Sequence, residues 1–268
     1  MSTAVAVRMI GADFLKVRKK MGTLIWALVL TLAPLLIYFI VSAAQHSSNP
    51  AEHGPAGGTH GFINALPALA AFFGPLAAIL IGVDAGATDA SAGVFRDLVV
   101  TGRSRVALFA TRLPAAIALT SLVSVAGYTL LVLGTFMFAS GSPTPDAALL
   151  LNGLGFTLLS VGVICAVAVG FASLTTSRPA SLVALIGWQL IASTIIANIS
   201  SLGSSRELVL REAIAHFSPV SLDGGGGRHG PRGSGLVTMG TGTALIVMAG
   251  WLVVFLALGA WRTRTMDA

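Results

Sequence analysis

The hydrophobic positions of this chain fall into six long runs, each separated from the next by a short polar stretch. The runs cover about residues 23–44, 62–83, 106–139, 148–174, 180–200 and 236–260. Each exceeds the roughly 18–20 apolar residues that a helix needs to cross the hydrocarbon core of a bilayer. None alternates polar and apolar residues with the period of two that a membrane-facing strand requires. The pattern predicts an all-α integral membrane protein with six transmembrane helices, forming one membrane domain over residues 1–268.

A different pattern precedes the first run. Val7, Ile10, Phe14, Val17 and Met21 fall within about an 80° arc at roughly 100° per residue. This predicts an amphipathic helix over 5–21 on the inner membrane surface, with Lys16, Lys19 and Lys20 held by anionic membrane lipids. The plainer alternative is a basic anchor and nothing more. The apolar run that follows is longer than the 7–15 residues of a signal-peptide core, so it is expected to remain as a span.

Between the second and third runs lies the charged stretch SAGVFRDLVVTGRSR, Ser91 to Arg105. Ser91 is placed to cap a short helix whose Val94, Phe95, Leu98 and Val99 share one face. Gly102 is suited to end it, and Arg103 and Arg105 mark the membrane boundary. An apolar face on a short helix outside the membrane needs something to cover it. Another amphipathic stretch opens the loop 201–235. There Ser204 and Glu207 fit a capping box, and Leu210, Ile214 and Phe217 share a face. The rest of that loop, DGGGGRHGPRGSG, has the composition of a flexible tether.

Composition agrees with the pattern. The chain is 55% hydrophobic and 10% charged, whereas soluble domains are about 25% charged. Its net charge of +6 is spread over short connections with no basic patch interleaved with aromatics, which argues against a nucleic-acid partner. Twelve of the sixteen Lys and Arg residues fall on one side of the six-span arrangement. The positive-inside rule then puts both termini in the cytoplasm of a cell whose plasma membrane the chain spans several times.

Candidate chemistry is sparse. The single cysteine, Cys165, lies inside an apolar run and suits core packing. Asp84, Asp89 and Asp97 cluster near one membrane face. They are expected to be solvated carboxylates beside basic residues, with Asp84, at the end of the second span, placed to pair with an Arg. The alternative is an Mg-dependent phosphotransfer site, for which GVFRD supplies only a fragment of the needed motif. His46, His53 and His60 recur every seven residues, but Gly and Pro between them break any helical register, so no metal site is expected. Gln189 and Asn198, in the fifth span, are candidates for a substrate path; hydrogen bonding between helices is the plainer role. Gly153, Gly155, Gly162 and Gly170 predict a close-packing face on the fourth span. A P-loop needs G-x-x-x-x-G-K-[ST], and none of the three lysines follows a glycine. The chain is therefore not expected to be an enzyme or to bind a cofactor itself.

The basic amphipathic N-terminal helix, the six spans, the large loop before the last span and above all AGVFRDLVVTGRSRVALFATR (Ala92–Arg112) resemble the permeases of type-2 ABC exporters, the bacterial ABC-2 family. In that family the segment between spans two and three is a coupling helix that docks on the ATP-binding subunit. The resemblance implies that Gly93, Phe95, Arg96, Leu98, Arg103 and Arg105 transmit the motor's movement. It also implies a second permease, copy or paralogue, and ATP with Mg²⁺ bound by the partner ATPase. The implied function is export of an amphipathic or lipid-like substrate, such as a drug, an antibiotic or a lipid-linked molecule, across the plasma membrane. The rival reading is a membrane protein that transports nothing, either an enzyme on the aspartate cluster or a scaffold. Many members of the family carry Glu near the start of the coupling segment, where Asp84 and Asp89 stand here.

Overall fold

The computed structural model describes residues 3–91, 104–220, 222 and 237–265. The described residues form helices and connecting turns, and six helices are long and apolar enough to cross a membrane. Span 1 is Met21–Ser48, span 2 Gly58–Asp89, span 3 Arg105–Met137, span 4 Ala147–Thr175, span 5 Arg178–Asn198 and span 6 Thr241–Thr265. The N-terminal helix α1, Thr3–Arg18, precedes them. A short helix α2, Leu210–Ala215, lies between spans 5 and 6.

Spans 2 and 4 are central, with about two-thirds of their most apolar stretch buried, whereas spans 1, 5 and 6 are peripheral. Small residues make the central contact possible. A Cβ on Gly82 would lie 2.8 Å from the Cys165 carbonyl oxygen, and one on Gly86 2.6 Å from that of Val169. Gly170 of span 4 and Gly259 of span 6 meet in the same way, since a Cβ on Gly259 would lie 2.7 Å from the Gly170 carbonyl oxygen. Such approach between helices substitutes for the hydrophobic drive that lipid removes. The expected glycine face of span 4 is half right. Gly153 and Gly170 pack against neighbours, but Gly155 and Gly162 face open space.

Helix ends follow caps rather than the limits of the apolar runs. Ser104 caps span 3 by accepting from the Ala107 N–H at 3.2 Å, and Asp146 caps span 4 through Leu149 at 2.7 Å. Span 6 begins five residues later than its apolar run, because the approach to it is held against α2: the Val237 N–H donates to Glu212. At the same end of the bundle the first two loops are joined, Gly57 N–H donating to the Phe138 carbonyl and Thr59 N–H to that of Pro143.

Two spans contain π-helical turns, Ala68–Phe73 in span 2 and Trp188–Ala192 in span 5. In span 2 the wider turn lies just before Pro75, which has no N–H to give and whose ring crowds the preceding turn. The stretch expected to be helical is so only in pieces, with Leu210–Ala215 as an α-helix, and the capping box at Ser204 and Glu207 does not form. Ser200–Leu208 is a kinked 3₁₀ stretch with no side-chain cap, and Val209 is extended. The chain breaks there because Val209, Leu210, Ala213 and Ile214 turn into the bundle and become buried. The Gly- and Arg-rich part of that loop lies outside the described residues.

Helix α1 packs along span 3, with Ile10, Asp13 and Phe14 half-buried. Val17 is buried, while Val7 at the other edge of the apolar arc is 66% exposed.

Candidate functional site

Ten polar or charged side chains converge where α1 meets spans 1, 2, 3 and 5. Asp89 and Asp84, near the end of span 2, are 4% and 3% exposed. This corrects the expectation of solvated carboxylates. Burying a carboxylate is tolerable only when charge and hydrogen bonds compensate it. Asp89 is met by the Lys16 ammonium from α1 and by Arg112 Nη2 from span 3, the latter at 2.9 Å. Asp84 is met by Arg178 Nε from the start of span 5, by the Thr23 hydroxyl of span 1, and by Lys20 Nζ at 3.9 Å. The expected pairing of Asp84 with an arginine is thus present. Lys20 also donates to Thr88 at 2.5 Å, and the Thr111 hydroxyl donates to Asp13 of α1 at 2.7 Å. Burial, with the Arg178 charge, holds the Lys20 ammonium below its ordinary pKa, against the pull of Asp84.

These bonds bind α1 and the adjoining ends of four spans into one charged lattice. Asp89 is the last lattice residue of span 2, and Thr111 and Arg112 are those of span 3. Gly93, Phe95, Arg96, Leu98 and Arg103, which the resemblance implies form a coupling segment, lie with Asp97 outside the described residues. Arg105 is described, and its guanidinium donates to the Arg264 carbonyl in the last turn of span 6 at 3.3 Å. Sequence reasoning missed the partners: Lys16 and Lys20 were expected to face lipid, and Arg112 and Arg178 served only to set orientation. Their positions at helix ends on the Asp84/Asp89 side were the available clue.

A cavity of about 270 Å³ lies among spans 2, 4, 5 and 6, beneath Leu210 of α2. One wall is aromatic. Trp188 and Trp251 have ring centroids 5.4 Å apart, Trp251 and Phe255 stack at 5.4 Å, and Phe171 lies 5.8 Å from Phe255. Trp251 Nε1 donates to the Leu208 carbonyl at 2.9 Å, which ties span 6 to the segment between spans 5 and 6. Gln189, in the π-helical turn of span 5, is the polar side chain of the lining. Asn198 is not in it; its amide bonds back to the Thr194 carbonyl of its own helix. Trp188 and Trp251 lie mid-span rather than in the interfacial belt where tryptophan usually sits, and that placement was a clue to the aromatic wall.

His46 Nδ1 is bonded to the His53 carbonyl oxygen, and His60 is bonded to Asn64. Among the described residues no three His, Cys, Asp or Glu side chains come together as metal ligands. Cys165 is buried and accepts from the Thr120 hydroxyl at 3.4 Å. No known family model matches the chain, and no curated protein matches it.

Proposed function

We propose that this chain is the membrane-spanning permease subunit of an ATP-binding-cassette exporter of the ABC-2 type. A separate P-loop ATPase drives it, and a second permease, copy or paralogue, faces it in the plasma membrane. Both termini are cytoplasmic in this reading, and the cargo is amphipathic or lipid-like.

The observation that carries the reading is the lattice around Asp84 and Asp89. A segment that receives force from a motor must pass it to several spans without local yielding. Residues 92–103 connect span 2 to span 3 in the sequence, and those two spans are joined to each other and to α1 through Asp89, Arg112 and Lys16. Asp84, Thr23 and Arg178 extend the same connection to spans 1 and 5. A push on that segment therefore moves inner helix ends together. Both described aspartates are engaged by basic side chains, which suits a structural lattice better than a Mg²⁺-binding phosphotransfer site.

The test is mild-detergent co-purification of the tagged chain with its native neighbours expressed. The expected result is a stoichiometric P-loop subunit with ATPase activity, lost on Phe95→Asp and retained on Asn198→Ala. Recovery of the chain alone, folded and without ATPase activity, contradicts the proposal.

A further inference from the structure

The cavity beside Gln189 contains an unmet demand. Gln189 is 6% exposed, and its side-chain amide, for which no hydrogen bond to a described residue is seen, borders the open space of the cavity; the sealed polar atom without a partner among the described residues is the Ser124 hydroxyl, not this amide. The neighbouring Ser193 hydroxyl bonds the Gln189 backbone carbonyl instead. An amide left without partners at mid-span depth carries a desolvation cost. The rest of the lining is aliphatic or aromatic. Water is a poor occupant, because a held water needs two to four polar partners and apolar cavities stay dry. A charged occupant would be buried with no counter-charge, since the lining contains no ionisable side chain.

We infer that this cavity is a binding site, within a single chain, for a neutral amphiphile: an apolar body lies against Trp188, Trp251 and Phe255, and one uncharged hydrogen-bonding group meets the Gln189 amide. The size agrees. A dry cavity of about 150 Å³ admits benzene, so one of 270 Å³ admits a two-ring aromatic or a short alkyl chain. The π-helical turn adds a second reason. Its 5-residue step, with the Ser193 N–H bonded to the Trp188 carbonyl, sets Gln189 off the regular helical register, and such turns recur at functional sites. Ala184, exposed on span 5, stands at the rim of the cavity. The site needs neither an ATPase nor a second permease, so its failure would leave the transport reading standing.

The experiment uses the purified full chain in lipid nanodiscs with Trp26→Phe and Trp261→Phe. Those two tryptophans are exposed, and their removal leaves the cavity pair as the only indole emitters. The probe is 8-bromooctan-1-ol, whose bromine quenches indole on contact. The expected result is saturable quenching, with an apparent Kd raised about three- to tenfold by Gln189→Leu and raised also by Ala184→Leu at the rim. The same chain without its hydroxyl, 1-bromooctane, and its charged form, 8-bromooctanoate, should bind more weakly than the alcohol. Quenching that rises linearly without saturating and is unchanged in both variants is partition into lipid and overturns the inference. So does equal affinity for the alcohol and the bromoalkane.

Discussion

Arg112 donates to Asp89 across 2.9 Å, and the two side chains are 6% and 5% exposed. They belong to different spans and lie 23 residues apart in sequence. A buried pair of this kind adds little net stability over well-packed apolar residues, yet it is costly to break from one side. Arg112→Met should therefore destabilise the protein by about 3–5 kcal/mol, read as a fall in thermal midpoint in detergent. Asp89→Leu with Arg112→Met should recover much of that loss. Strict additivity of the two single changes would show that the residues are not coupled.

The Lys20 ammonium supplies a pH test. Burial holds its pKa below the ordinary 10.5, so between that lowered value and 10.5 the unfolded chain binds more protons than the folded one. Stability from this group therefore rises with pH across that window. The wild type should gain stability relative to Lys20→Met as the solution is made more alkaline toward 10.5. Denaturant midpoints at a series of pH values measure the difference; a relative loss over that window has the wrong sign.

Span 4 allows a comparison within one helix. A Cβ on Gly170 would lie 2.5 Å from the Phe255 backbone oxygen, while nothing stands within 4 Å of one on Gly155 or Gly162. Gly170→Ala should cost about 1–3 kcal/mol by forcing spans 4 and 6 apart. Gly155→Ala and Gly162→Ala should be neutral, or stabilising by up to about 1 kcal/mol through lower backbone entropy in the unfolded chain. Thermal midpoints of the three variants suffice, and equal losses would contradict the close approach at Gly170.

The anchoring of α2 is also testable. Glu212 is 2% exposed and accepts from the Val237 N–H. Glu212→Ala should loosen the lead into span 6 and speed proteolysis between residues 216 and 241 several-fold. Unchanged cleavage would show that other contacts hold that connection.

The six spans were legible because a run of about twenty apolar residues has few other stable uses. Their ends were less so, since Ser104 and Asp146 set them from beyond the apolar runs. The lattice was only half legible. Asp84 at the end of a span signals a partner, but Lys16 is 73 residues from Asp89 and Arg178 is 94 from Asp84, so no local pattern pairs them. The capping box at Ser204 and Glu207 shows the reverse failure. A correct local motif lost to the burial of Val209 and Leu210, which pulled the chain into the bundle. Gln189 was legible as a rare polar residue mid-span; the aromatic cavity beside it depends on spans 4 and 6 and was not.

The central claim is that a motor subunit docks on residues 92–103. Its most direct test is a photo-reactive amino acid installed at Phe95 in the full chain, irradiated in the native cell. The account predicts a single cross-linked polypeptide carrying a P-loop, and its loss when Leu98→Asp disrupts the apolar face. Cross-links to lipid alone, or none to any P-loop protein, would contradict it.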